Sequence, residues 1–378
     1  MRAYVYTDAG LERYAGRFVW LSINTEDAKN AAFLKRYPIP ALPTLLVLDA
    51  KRDDVALRYV GGATVPQLRK MLDDADKTYR ARAQGQSDKL LAKADTLAAA
   101  GKEAEAIKTF EQALASAPKS WPRYGRTAES LMFSLSMSDP ARCAARAAEL
   151  YPRVKGTSSA ANVAATGLSC AASMDKENKD RAALLASLEK ATREVFDDKK
   201  LVMADDDRSG LYMALIDARD AAGDDDAVAR LHGEWSAFLD DAAKRAKTPE
   251  QRTVYDSHRL SAYVALGQPE KAVPMLEQSE RDFPDDYNPP ARLAYAYKEM
   301  KEYDKAIAAS DRALARVEGP RRLNVLTTRA EIFIAKGDTE AARETWAQAV
   351  AYAKSLPEGQ RSEKRIAWLE KKLASSTQ

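Results

Sequence analysis

Four landmark residues recur at fixed spacing in this chain, and that spacing leaves few folds open. Gly267, Ala272, Ser279 and Pro284 mark a turn, a small residue, a second small residue and a helix stop. Lys301, Ala306, Ala313 and Glu318 repeat the offsets 34 residues later, and Gly337, Ala342, Ala349 and Lys354 repeat them a further 36 on. Gly101, Ala106, Ala113 and Pro118 show the same spacing much earlier. Ahead of each turn stand a small residue or Leu (Ala94, Leu260, Ala294, Ala330) and then a large one (Leu97, Tyr263, Tyr297, Phe333). This period holds one helix, a tight turn and a second helix. Small side chains let the two helices approach, and the large one fills the space between pairs. Neither helix can bury its stripe alone, so the pairs must stack. A mostly α chain, wound as an α-solenoid, is the expected fold class.

The clearest pair is Asp285 to Val317. Asn288 reads as an N-cap with Pro289 at the first helical position, where the missing N–H costs nothing. Leu293, Ala294 and Tyr297 form one apolar stripe, and Ala306, Ala309 and Ala313 form the other. The pattern is strong in residues 85–118 and 250–356 and weaker between them. In 119–153, Asp139-Pro140 reads as an N-cap and first helical residue, so that second helix starts late. Residues 154–198 read as one lengthened pair, and 206–243, around Gly223 and Trp235, match only loosely. Stacking gives about seven helix pairs over 85–356, then a capping helix at Ser362–Leu373 within a C-terminal segment, 357–378. The pattern resembles the tetratricopeptide repeat, with its period of about 34 residues. That resemblance implies a concave groove, lined by first helices, that holds a protein or peptide.

At 378 residues the chain exceeds one ordinary domain. Its 59 basic and 56 acidic residues leave a net charge of only +3, without the basic excess of a dedicated nucleic-acid binder. No apolar run reaches the length of a membrane span. Two His and two Cys leave little from which to build a metal site, and no cofactor is expected.

Residues 1–76 differ in kind from the repeats. Phe18–Ile23 reads as a strand, Glu26–Tyr37 as a helix, Pro43–Asp49 as a nearly all-apolar second strand and Val55–Val60 as a third. A helix then starts at Val65, and the polar residues 77–88 read as a connector or a continuing helix. The segments FVWLSINTED, YPIPALPTLLVLDA and RYVGGATVPQLRKML resemble the C-terminal two-thirds of a thioredoxin fold. Leu42-Pro43-Thr44 falls where that family has its cis-proline loop, and Gly61-Gly62 where it has a glycine after the last strand. The resemblance implies a small, truncated α/β domain over 1–76, with Pro43 as the cis-proline. It also implies a central strand and a Cys-x-x-Cys helix ahead of Met1, because the first cysteine here is Cys143. Without that pair, dithiol exchange has neither nucleophile nor resolving thiol. The expected reading is a redox-inactive remnant joined to a binding solenoid. The alternative is an exported thiol–disulfide oxidoreductase whose cysteines lie upstream of Met1. Strand 18–24 is then expected to lack a partner on one side.

Asp205 to Gly210 copies the first half of a calcium loop, but Ile216 stands where the bidentate Glu belongs. An acidic helix start accounts for the same residues. Asp285-Asp286-Tyr287-Asn288-Pro289-Pro290 could form a binding turn at one rim, but a helix start with acids near its N-terminus and Pro in its first turn explains nearly every residue. His232 and His258 fall on different helix pairs with no nucleophile beside them. Arg208, Arg259, Arg292, Arg321 and Arg322 lie near the starts of first helices, and the repeat offsets aim Arg292, Tyr295 and Asn324 at the groove. The candidate peptide-binding residues are therefore Arg208, Arg259, Arg292, Tyr295 and Asn324, where guanidinium and amide groups could grip a peptide carboxylate. Taken singly, each is better explained as a solvated surface residue. Cys143 and Cys170 sit on successive helices folded towards each other. A disulfide between them is expected, and with it an oxidising compartment, periplasmic or secreted; a start at Met1 itself would instead place the chain in the cytoplasm.

Overall fold

A computed structural model describes residues 1, 3–51, 54–81 and 85–376. Residues 82–84 of the expected connector, and 377–378 of the expected C-terminal segment, lie outside the described residues. The chain divides into two compact units: Met1–Phe18 with Tyr37–Leu231, and Val19–Arg36 with His232–Gln378. The division falls inside the repeat array, and an N-terminal stretch of 18 residues belongs with the C-terminal repeats.

Helix α1 (Ala31–Arg36) belongs to the second unit. In the first unit, β1 (Thr44–Asp49) and β2 (Asp54–Val60) form an antiparallel hairpin in which Thr44 faces Val60, with one register slip at Val47/Leu48. Val55, Leu57 and Tyr59 alternate onto one buried face. Helix α2 (Val65–Ala81) lays Leu68, Met71, Leu72 and Ala75 over that face. Tyr14 closes the cluster, its hydroxyl donating to the Arg69 carbonyl and to Asp73 Oδ1, each at 2.9 Å.

Helix pairs follow: α3 (Gln86–Ala99) with α4 (Glu103–Ala115), then α5 (Tyr124–Ser136) with α6 (Pro140–Val154). Next come α7 (Ser159–Ala172) with α8 (Arg181–Asp197), and α9 (Asp205–Asp220) with α10 (Asp225–Arg245), in which the division into units falls. The second unit has a short α11 (Pro249–Thr253), then α12 (Asp256–Ala265) with α13 (Ala272–Asp282). It continues with α14 (Asn288–Glu299) and α15 (Tyr303–Leu314), α16 (Arg322–Lys336) and α17 (Thr339–Ser355), and a final α18 (Glu363–Ser375).

The landmark residues explain the pairs. Ala106, Ala272, Ala306, Ala313 and Ala349 are each fully buried, where any larger group would push two helices apart. The turn position is left-handed in every pair that shows the spacing: φ is 72° at Gly101, 68° at Gly267 and 88° at Gly337. Lys301 occupies the same conformation at φ 61°, the one non-glycine residue with positive φ among the described residues. Asp139 caps α6 by accepting from the Arg142 amide at 3.0 Å, with Pro140 in the first turn.

Several expectations need correction. Residues 18–24 form no strand, and the sheet among the described residues is the two-stranded β1–β2 hairpin. A strand exists only through its ladder, and this stretch has none; Val19 is 88% and Leu21 77% exposed. The helix read over Glu26–Tyr37 is shorter, a 3₁₀ turn at Ala28–Asn30 capped by Asp27, followed by α1. Asn288 is the first residue of α14, not its cap; Asp286 accepts from the Asn288 amide at 2.9 Å. Asp205–Asp207 form the first turn of α9. The Leu42–Pro43 bond, by contrast, is cis as expected.

Candidate functional site

The charged residues read from the repeat offsets divide between the two units. Arg208 lies in the first. Its guanidinium sits 5.4 Å from the centre of the Phe196 ring and donates to the Phe196 carbonyl at 3.4 Å. Arg259, Arg292, Tyr295 and Asn324 lie in the second.

Helix α12 begins with Asp256, which is fully buried. Its Oδ2 accepts from Ser279 Oγ at 2.7 Å, while Oδ1 has no hydrogen-bond partner among the described residues. Ser279 is the small landmark residue of α13, so the position that permits close packing also satisfies half of this carboxylate. Burial holds the Asp256 carboxyl above its usual range, against the hydrogen bond from Ser279 and the nearby charges of Arg292, Arg259 and Arg252. One turn on, Arg259 donates from Nε to Asp240 Oδ1 at 2.8 Å and reaches Tyr263 Oη at 3.4 Å. That guanidinium is committed to its own repeat.

Arg292 differs. It lies in the first turns of α14, half-buried, and has no hydrogen-bond or ion-pair partner among the described residues. Burial works against its charge, and the carboxylates of Asp256 and Asp286 support it from a distance, with Tyr287 and Arg321 also within electrostatic reach. A half-buried guanidinium that makes no ion pair of its own favours an incoming anion. Arg321 completes this end of the cluster. Its Nη1 donates to Tyr287 Oη at 3.0 Å, and its backbone amide and Nε donate to the Glu26 carboxylate at 2.9 and 3.1 Å.

Tyr295 stands one turn beyond Arg292. Its ring lies 5.1 Å from Lys298 Nζ, which also pairs with Glu299 at 3.1 Å. Asn324 is exposed and accepts from Arg365 Nη2 at 3.3 Å. The structure thus groups Arg292 with Arg321, Tyr287 and Asp256, and gives Tyr295 and Asn324 other neighbours. Sequence reasoning missed Asp256, although an acid at the start of a first helix was a visible signal, while Tyr287 falls within the rim turn of Asp285–Pro290. Glu26 had none, lying 295 residues from Arg321.

The first unit holds a second polar constellation. A cleft of about 310 Å³ is lined by Tyr59, Lys70, Trp121, Arg123, Arg126 and Glu129 among others. At its floor Tyr59 Oη donates to Glu129 Oε2 at 2.8 Å, and Arg126 donates to the buried Asp95 at 3.0 Å. Burial pushes Glu129 upwards; burial and then the Glu129 charge push Asp207 to about 7. Cys143 and Cys170 are joined as a disulfide between α6 and α7, with Cα atoms 6.1 Å apart. Among the described residues no group of His, Cys, Asp and Glu is arranged to hold a metal ion, and no helix is long and apolar enough to cross a membrane.

Residues 263–324 and 90–120 each match a family model described as tetratricopeptide repeat. No curated protein matches the chain. Among solved structures, a tetratricopeptide repeat protein from Parabacteroides merdae ATCC 43184 is 10% identical, with a TM-score of 0.48 over 78% of this chain and all of that one. TTC0263, a thermophilic TPR protein from Thermus thermophilus, is 18% identical over 77% and 98%, with a TM-score of 0.28. Yeast Tom70 is 11% identical over 82% and 93%, with a TM-score of 0.19. The matched ranges fall one in each unit, so each unit holds a stretch similar to tetratricopeptide repeats.

Proposed function

We propose that this protein is a scaffold that binds a protein or peptide, taking an acid-bearing segment against the first helices of its C-terminal repeats. The observation that carries the reading is Arg292: a half-buried guanidinium with no hydrogen-bond or ion-pair partner among the described residues, within electrostatic reach of buried Asp256. A carboxylate laid on Arg292 pairs with its donors. Arg pairs with carboxylates in a planar, two-pronged fashion, so such a site selects by geometry as well as charge. Peptide arrays varying acidic content test this. Peptides retained by the protein should be enriched in Asp and Glu, and Arg292→Ala should abolish that enrichment. Retention indifferent to acidic residues, or unaffected by the substitution, contradicts the reading.

We further infer that residues 37–76 derive from a thioredoxin-like domain. The antiparallel hairpin followed by a helix on one face supports this, and the role assigned to it here is structural. The Cys143–Cys170 bond favours an oxidising compartment, periplasmic or secreted. Mass analysis of protein from its native source, alkylated without reduction, should find both thiols blocked; free thiols would place it in a reducing one.

A further inference from the structure

The stretch Val19–Arg36 packs with the C-terminal repeats although it lies more than 200 residues before them in sequence. Its own structure is slight: one 3₁₀ turn and the six residues of α1, too short to hold a helix unaided. The repeats supply the rest. Glu26 spans the Arg321 amide and Nε, Gln360 Nε2 donates to the Thr25 carbonyl at 2.8 Å, and Leu34 is buried to 6% exposure.

Two glycines make the seat. A Cβ at Gly319 would lie 2.4 Å from the Glu26 carbonyl oxygen, and one at Gly359 would lie 2.0 Å from that of Ala31 and 2.8 Å from the Lys35 nitrogen. All three contacts are to backbone, which cannot rotate away. The surface is therefore shaped to take a main chain with an acidic side chain at one point. The Lys35–Glu358 pair at the edge, 61% and 67% exposed, adds little.

We propose that residues 24–36 are a removable strap on this surface and that its Glu26 mimics a partner. The surface formed by Arg321, Tyr287, Gly319, Gly359 and Gln360 then takes an acidic segment of another protein in competition with the strap. This rests on the reading of Arg292 as an anion site, because Arg321 and Arg292 belong to one cluster. A bound acid on Arg292 alone would leave the strap in place. An acid that also requires Arg321 must displace Glu26.

The test uses the full chain with a labelled peptide of residues 24–36 as probe. Glu26→Lys sets a cation against Arg321 and releases the strap, leaving its seat intact. The probe should bind this variant at least tenfold more tightly than the unsubstituted protein, and a probe with Gln for Glu26 should lose at least tenfold. Gly359→Ala, at a glycine whose φ is not positive, should free the strap but refuse the probe, since the same backbone clash recurs. In both variants the amides of residues 25–35 should exchange at least tenfold faster. Equal probe binding by Glu26→Lys and the unsubstituted protein overturns the strap, as does unchanged exchange. If acidic array peptides still bind through Arg292, the functional reading survives that result. If no acidic peptide binds any form, both fall.

Discussion

Gly167→Ala and Gly210→Ala are chemically the same change, and the structure assigns them opposite signs. Gly167 lies in α7 at the crossing with α6. A Cβ there would stand 2.2 Å from Ala147 Cβ and 3.1 Å from a Leu188 methyl on α8. Carbon atoms in contact sit about 3.5–4.0 Å apart, so α6 and α7 would have to separate by more than about 1 Å. The Cys143–Cys170 bond joins the same two helices close by and opposes that separation. Alanine gains roughly 1 kcal/mol of helix propensity over glycine. Overpacking a rigid crossing costs about 1–3 kcal/mol or more, and a clash between two backbone-anchored methyls belongs at the upper end. Gly167→Ala should therefore destabilise the first unit by about 1–2 kcal/mol net. At Gly210, in α9 of the same unit, an added Cβ meets nothing within 4 Å. Propensity acts there unopposed, and stability should rise by about 0.5–1 kcal/mol. Urea unfolding followed by far-ultraviolet circular dichroism, with hydrogen exchange on peptides from α6 to α9, measures both. Shifts of the same sign would refute the packing argument.

Lys301→Gly should raise the stability of the second unit by about 0.5–1 kcal/mol, because it relieves a left-handed side-chain-bearing residue at a position where three other pairs have glycine; a lower urea midpoint contradicts this. Asp207 tests the buried acids of the first unit. Its carboxyl is raised to about 7, so between about pH 4 and 7 the folded state holds a proton that the unfolded chain has lost, and stability falls as pH rises. Asp207→Asn should leave stability near pH 4 unchanged and raise it by about 1–2 kcal/mol at pH 8, the full shift being discounted for partial exposure. Thermal unfolding across that range checks the sign, and parallel pH curves for the two proteins would contradict it.

The repeats were legible because their determinants are local. A left-handed turn asks for glycine, a close crossing asks for alanine, and both recur at a spacing visible in one dimension. Asp139-Pro140 marked the start of α6 for the same reason. The hydrophobic run at 18–24 misled because its composition states a preference for extended backbone and says nothing about neighbours. Here it has no ladder, and residues 19–24 lie in the unit that also holds the C-terminal repeats. At the candidate site, Arg292 followed from its offset within the repeat, since helix geometry fixes which face it shares. Its lack of a partner did not, because that depends on what every neighbouring repeat offers. The Glu26–Arg321 contact joins positions with no common period, and only the folded chain discloses it.

The central contact is that of the Arg292 guanidinium with a ligand carboxylate, and a double-mutant cycle measures that contact alone. Calorimetry would compare the protein and its Arg292→Ala form, each against an acidic peptide selected on the array and the same peptide with Gln for Glu. A coupling energy of about 1.5 kcal/mol or more, falling as salt is raised, is the predicted result. Two independent losses that simply add would contradict it, placing the bound acid elsewhere on the protein.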